Sequence, residues 1–233
     1  LLKLLAEQDV VRVKVANDYS DVEAICAADL LISYTCDEVP DPAGQAQLKS
    51  YVENGGKWFA LHGTNAIIGF SGESQVVDGI ELPGNADTPD KAPDLMRMLG
   101  SRFVAHPDVA MLQVKVADPE HPIVAGLNDF EIEDEPYYCE FFGDNHVLLE
   151  ASYNEPSHGY VQSEFGTDQA SHPQMYLHSV GAGQVLYLTL GHCRGKYDLR
   201  PLMDVAPVEK CAWNYPIFYD LLRRGIAWGT SAT

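Results

Sequence analysis

Two rhythms of apolar and polar positions run along this chain. Alternation with a period of two predicts strands, and apolar residues three and four apart predict helices. Residues 1–8 read as the end of a helix, and VVRVKVAN (10–17) alternates as a strand does. DVEAICAAD (21–29) suits a short helix and LLISYT (30–35) an apolar strand. DPAGQAQLKSYVENGG (41–56) carries helix-start residues, Leu48 and Val52 on one face, and Gly55-Gly56 as its stop. KWFAL (57–61) is the next strand. Strand–helix–strand alternation of this kind implies parallel pairing with helices on both faces of the sheet.

Between 71 and 92 the chain is rich in Gly, Pro, Asp and Ser, which predicts an irregular insertion. APDLMRMLGSRF (92–103) restores a helix, AMLQVKVAD (110–118) alternates as a strand, and residues 121–142 hold loops and short strands. HVLLEASY (146–153) is a further strand. QMYLHSV (174–180) and QVLYLTLGH (184–192), joined by Gly181-Ala182-Gly183, form a hairpin, so part of the sheet is expected to be antiparallel. YPIFYDLLRRGIAWG (215–229) is a closing helix. With no repeats and no linker-like stretch, residues 1–233 are expected to form a single domain.

Charge narrows the choice of partners. Thirty-four acidic against 15 basic residues leave a net charge of −19, spread along the chain. Such a surface repels phosphate backbones and anionic lipid, which argues against nucleic-acid and membrane partners. No apolar run approaches the ~20 residues that span a bilayer. Cys26, Cys36, Cys139, Cys193 and Cys211 are odd in number, widely spaced and without a C-x-x-C, as expected of reduced thiols in a cytoplasm. Gly181-Ala182-Gly183 lacks the third glycine of a dinucleotide fingerprint, and no G-x-x-x-x-G-K or H-E-x-x-H occurs, so no nucleotide cofactor is expected.

Four polar positions stand out by their setting. His62 follows a buried strand directly, at a Gly-containing elbow of the kind that holds a nucleophilic Ser or Cys in α/β enzymes. His106 precedes Pro107 after SRFVA; Asp134-Glu135 lie between apolar segments beside two tyrosines; His192 ends the most apolar strand. In open α/β sheets, ligands bind beyond the carboxyl ends of strands, where His62 and His192 both fall. His121 reads as structural, His178 as a surface or packing residue, Cys193 as an inert thiol, and Cys36 has no basic neighbour to activate it. Trp213 is a candidate lining residue for a pocket.

GGKWFALHG, GSRFVAHP, HPIVAGL…FEIEDEPYY, GAGQVLYLTLGH and LLRRGIAW, in this order over residues 28–229, resemble the ThuA-like, or trehalose-utilisation, family of the class I glutamine amidotransferase-like superfamily. The resemblance implies a three-layer α/β/α flavodoxin-like sandwich with a mostly parallel central sheet and an antiparallel hairpin extension. It also implies that a strand precedes the helix with which this sequence begins. The implied function is cytoplasmic carbohydrate catabolism on a disaccharide or glycoside oxidised to its 3-keto form by a partner sugar 3-dehydrogenase. A homo-oligomer is compatible with it.

The chain departs from true amidotransferases: Leu61 stands where their nucleophilic Cys would be, and no histidine is followed two places later by Glu. A thioester mechanism lacks its parts. Two mechanisms remain. In one, His62, His106 and His192 hold a divalent metal ion (zinc or similar) with Glu135 as fourth ligand or base. In the other, His and Glu act as general acid and base. Either suits a 3-keto sugar, whose carbonyl acidifies the neighbouring C–H; an enediolate then leads to isomerisation, or to elimination and hydration. Asp134, Tyr138, Arg194 and Tyr197 are expected to bond sugar hydroxyls or to hold the other groups in place. A non-catalytic binding module and a metal-dependent hydrolase are the competing readings. Imidazoles lying more than about 12 Å apart, beyond what one ion or sugar ring bridges, would exclude the enzyme.

Overall fold

The computed structural model describes residues 1–7, 11–77, 80–200 and 203–231. A one-turn helix α1 (Leu2–Leu5) is followed by α2 (Val22–Cys26), capped by the Asp21 carboxylate on the Ala24 N–H, and by β1 (Leu30–Tyr34). α3 (Pro42–Glu53) starts where its sequence suggests. The Asp41 carboxylate accepts the Gly44 N–H at 2.7 Å, and Pro42 occupies the first turn, where no N–H is needed. Leu48 and Val52, one helical turn apart, are wholly buried. β2 (Lys57–Leu61) then runs into a 3-10 turn, His62–Asn65.

The stretch read as an irregular insertion contains four three-residue strands, β3 (Gly69–Ser71), β4 (Gln75–Val77), β5 (Ile80–Leu82) and β6 (Asn85–Asp87), paired β3 with β6 and β4 with β5. Turn-forming residues hid these pairings because each strand is too short to show a period. α4 (Pro93–Leu99) is shorter than the helix expected over 92–103. Gly100 adopts a left-handed conformation (φ 81°) and ends it, and Ser101–Ala105 forms β7. β8 (Ala110–Val116), β9 (Phe130–Asp134), β10 (Tyr138–Phe141), β11 (Asn145–Ala151), β12 (His172–Val180), β13 (Gly183–Leu188) and α5 (Pro216–Thr230) complete the chain.

Seven strands form one sheet in the order β1-β2-β13-β12-β11-β8-β9. β1–β2 and β2–β13 are parallel; β13–β12, β12–β11, β11–β8 and β8–β9 are antiparallel. The expectation of a mostly parallel sheet is therefore corrected: the fold is mixed α/β. The reason lies in the connections. Parallel neighbours need a crossover long enough for a helix, and between β8 and β13 no helix intervenes. The expected hairpin β12–β13 is present, with Val180 opposite Gly183. The alternating segment 10–17 is a second correction. Residue 10 lies outside the described residues, and 11–17 form no strand; Val13 and Val15 are exposed. Alternation makes a segment able to pair but does not supply a neighbour.

Apolar packing covers both faces around the parallel strands. Leu48, Val52, Leu95, Met96 and Leu99 of α3 and α4 pack with Trp58, Val185 and Tyr187. Phe218, Leu221, Leu222 and Ile226 of α5 pack with Phe59, Leu61, Leu186 and Leu188. Because β2 and β13 are buried on both sides, they read as continuous apolar runs. β7 and β10 pair separately as a two-stranded sheet, Tyr138 opposite Ala105, so the β9–β10 connection links the two sheets.

Candidate active site

β2 and β13 are adjacent and in register, Leu61 opposite Leu188, so the residues just beyond them share one sheet edge. His62 turns the corner there with φ 44°, a left-handed conformation costing about 1–2 kcal/mol for a non-glycine residue. Tyr187, itself on β13, holds that corner: its hydroxyl donates to the His62 carbonyl at 2.5 Å and accepts the Asn65 N–H at 2.9 Å. Gly63 follows because a side chain has no room; a Cβ there would sit 2.7 Å from the Thr35 carbonyl oxygen.

β9 lies four ladder steps from β13, about 19 Å in a flat sheet. Yet Asp134, the last residue of β9, accepts the Gly191 N–H at 2.6 Å and the His192 N–H at 2.9 Å. Curling of the sheet and the run of residues 189–191 across its end bring the two strand ends together. Glu135 and Tyr137, in the connection from β9 to β10, then face the elbow, while His106 arrives from the end of β7.

Three imidazoles surround one carboxylate. His62 Nε2 is 3.4 Å from Glu135 Oε2; His106 Nε2 and His192 Nδ1 are 3.2 Å and 3.3 Å from Glu135 Oε1. The rings of His62 and His192 are 5.6 Å apart. Each ring's other nitrogen bonds outward. His62 Nδ1 meets the Thr189 carbonyl at 2.7 Å, His106 Nδ1 the Pro107 carbonyl at 2.8 Å, and His192 Nε2 the Glu209 carboxylate at 2.7 Å. Since these acceptors carry no proton, the outer nitrogens donate and the inner ones face Glu135. Tyr137 adds its hydroxyl at 2.9 Å from His62 Nε2.

The electrostatics follow from burial and neighbours. Burial alone would raise the Glu135 carboxyl, but the facing imidazoles of His106, His192 and His62 outweigh it and hold it well below the usual range. Burial works against the imidazolium of His192 as well; the Glu135 and Glu209 carboxylates overcome that and raise it to about 9. Burial raises Asp134, partly offset by His62 and by the backbone N–H groups that its carboxylate accepts. Burial also pushes the Cys36 thiol up to about 11, which suits an unreactive group.

Candidate ligand atoms of His62, Glu135 and His192 lie within 4.8 Å of one another, the one such group of three or more among the described residues. His106 reaches Glu135 but does not join that triple. Imidazole nitrogens with their outer N–H groups anchored, together with a carboxylate, are the donor set that zinc-like ions take, so the residues fit a divalent cation.

The four companions of this cluster are placed differently. Asp134 is fully buried, with its carboxylate on the backbone N–H groups of Glu135, Gly191 and His192, so it holds the site together. Tyr138 is buried away from the carboxylate, its hydroxyl on the Glu155 carbonyl and its ring against Tyr153 and His172. Arg194 bonds the Glu209 carboxylate. Tyr197 is exposed, beneath the Arg200 guanidinium.

Sequence reasoning passed over Tyr137 and Glu209. A signal for the first existed, since Glu135 and Tyr137 are two apart in an extended segment and share a face, whereas Tyr138 points the other way. Glu209 had none; it is one acid among 34. Tyr34 and Trp213 both donate to the Gly191 carbonyl, at 2.6 and 3.0 Å, and form an aromatic pair beside His62.

The family model for ThuA, described as trehalose utilisation, matches residues 83–206. Among solved structures, the chain is similar to a ThuA-like protein from Bacteroides uniformis at 20% identity and TM-score 0.66, over 99% of this chain and 81% of that one. A ThuA-like protein from Parabacteroides merdae matches at 18% identity and TM-score 0.59, over 100% and 85%. A cytoplasmic protein from Salmonella typhimurium follows at 14% identity and TM-score 0.52, over 97% and 84%. These structural likenesses are likenesses of fold. No curated protein matches the chain.

Proposed function

This chain belongs to the ThuA, or trehalose-utilisation, family, whose description points to a carbohydrate-related role, and from that premise we propose a carbohydrate-catabolism enzyme that moves protons on an oxidised sugar. The substrate is a 3-keto disaccharide or glycoside, supplied in the cytoplasm by a sugar 3-dehydrogenase. One observation carries the reading: three imidazoles with anchored outer nitrogens turn their inner nitrogens to the same buried carboxylate.

Such a cluster divides the labour of proton transfer. His192, protonated between two carboxylates, is the acid that donates to the sugar's carbonyl oxygen as charge develops there. His106, the most exposed of the three rings, is the base that takes the acidified C–H proton. Glu135 keeps the rings turned inward, and Tyr137 holds His62. In the metal-assisted alternative His192 would be neutral at Nδ1, and a divalent ion held by His62, Glu135 and His192 would replace its proton by supplying Lewis-acid polarisation of the carbonyl. The three-layer part of the expected fold is supported by the helix packing on both faces of β2 and β13.

The test is turnover of 3-keto disaccharides by purified protein, with exchange of the C–H beside the carbonyl followed in D2O, and with metal content measured on the same sample. Glu135→Gln is expected to lose both activities. Wild-type protein that neither converts these sugars nor exchanges that hydrogen would end the proposal. Metal content together with hydrolysis of unoxidised glycosides would favour a metal-dependent hydrolase instead.

A further inference from the structure

His62 and His106 have their outer nitrogens on backbone carbonyls, which the fold places. His192 differs. Its outer nitrogen meets a side chain, and Glu209 comes from 17 residues further along, outside every strand and helix. A flexible carboxylate orients a ring only if it is itself held. Glu209 is held twice. Its backbone exchanges two hydrogen bonds with Arg194, N–H to carbonyl in both directions at 3.0 Å, an isolated antiparallel bridge that closes the neck of the segment between them. The Arg194 guanidinium also bonds Glu209 Oε1, leaving Oε2 for His192 Nε2. The acceptor, its brace and the backbone register are thus one unit, two residues from the ring that it holds.

We propose that Glu209, braced by Arg194, is a positioning residue that accepts a hydrogen bond from the Nε2–H of His192 and keeps Nδ1 turned to Glu135. A carboxylate accepts and does not donate, so the contact requires hydrogen on Nε2 and selects the inner nitrogen as the working one. Asp134 grips the same histidine through its backbone N–H, so His192 is fixed at both main chain and ring. Arg194, expected from the sequence to bond sugar hydroxyls or to hold other groups in place, acts here in the second way, through Glu209.

The role is read by NMR of protein labelled with 15N-histidine, a measurement that needs neither substrate nor metal. Wild type is expected to show an exchange-protected, low-field imidazole N–H, assigned by its loss in His192→Gln. In Glu209→Gln that resonance moves upfield or disappears, whereas in Glu135→Gln, where Glu209 still accepts the Nε2–H, it persists with a smaller shift. Arg194→Met leaves Glu209 in the chain and shifts the resonance in the same direction by less, which keeps the test intact if Glu209→Gln folds poorly. An unmoved resonance in both Glu209→Gln and Arg194→Met overturns the proposal. The kinetic arm rests on the sugar reading: kcat falls about 10–100-fold with KM nearly constant, as for other partners of functional histidines. Wild type inactive on every oxidised sugar would sink that reading, while the N–H resonance would still decide the role of Glu209.

Discussion

Asp134 accepts the backbone N–H of His192 at 2.9 Å, although the two residues lie 58 positions apart, one at the end of β9 and the other beyond the end of β13. With the 2.6 Å bond from Gly191, this clasp closes the sheet edge on which the cluster stands. Its carboxylate is wholly buried, so its hydrogen bonds have no water to replace them. Asp134→Ala is expected to cost about 3–5 kcal/mol, because it leaves buried N–H groups without acceptors, and to lower activity with it. Urea unfolding measures the first effect. A midpoint unchanged from wild type would show that the clasp carries no stability.

Adjacent tyrosines are expected to behave differently. Tyr137→Phe removes the hydroxyl at His62 Nε2 and should reduce kcat about 10-fold or more, with only about 1 kcal/mol lost in stability. Tyr138→Phe removes a bond to the Glu155 carbonyl, away from the carboxylate, and should leave kcat near wild type. Equal kinetic losses in both variants would contradict this placement of the site.

Gly63→Ala tests the elbow. The added Cβ would meet the Thr35 carbonyl at 2.7 Å and the Cys36 Cβ at 3.0 Å, so backbone must shift. A loss of about 1–3 kcal/mol is expected, with a fall in kcat as His62 moves. Thermal unfolding at wild-type midpoint would mean that the corner has slack the packing does not reveal.

The cluster also sets a pH dependence of stability. His192 is raised from 6.5 to about 9, so its contribution is complete below about 6.5 and lost as pH rises through 9. Glu135 is lowered, so its contribution is complete above about 4.5 and lost as pH falls toward its depressed value. Together they favour the folded state most between about pH 4.5 and 6.5. Melting temperatures should decline from pH 7 to 9.5 in wild type, and less steeply in His192→Gln. Parallel curves for the two proteins would remove His192 as the cause.

A divalent ion taken up by His62, Glu135 and His192 would stabilise the folded state by mass action. Zinc added to chelator-treated protein should raise the melting temperature of wild type and not of His62→Ala. The same rise in both would place the ion elsewhere.

Much of the architecture was legible in one dimension. WFAL of β2 and VLYL of β13 are apolar runs because both faces of these strands are covered, and Asp41-Pro42 marked the start of α3. His62 and His192 drew attention because they end such strands. Residues 10–17 misled because alternation describes two faces and says nothing of a pairing partner.

What the sequence determined by itself is local: strand and helix propensities, the start of α3 at Asp41-Pro42, the hairpin at 181–183 and the acidic surface. Such features depend on neighbours a few residues away, whose geometry is fixed by backbone sterics. The tertiary structure decided which carboxylate the three imidazoles share, that Tyr137 and not Tyr138 faces them, and that Glu209 reaches His192. Those contacts join residues 17 to 75 positions apart, through curled strands and a two-residue bridge. No periodicity records them, because they depend on how the sheet bends and on which side chains its edge brings within hydrogen-bond reach.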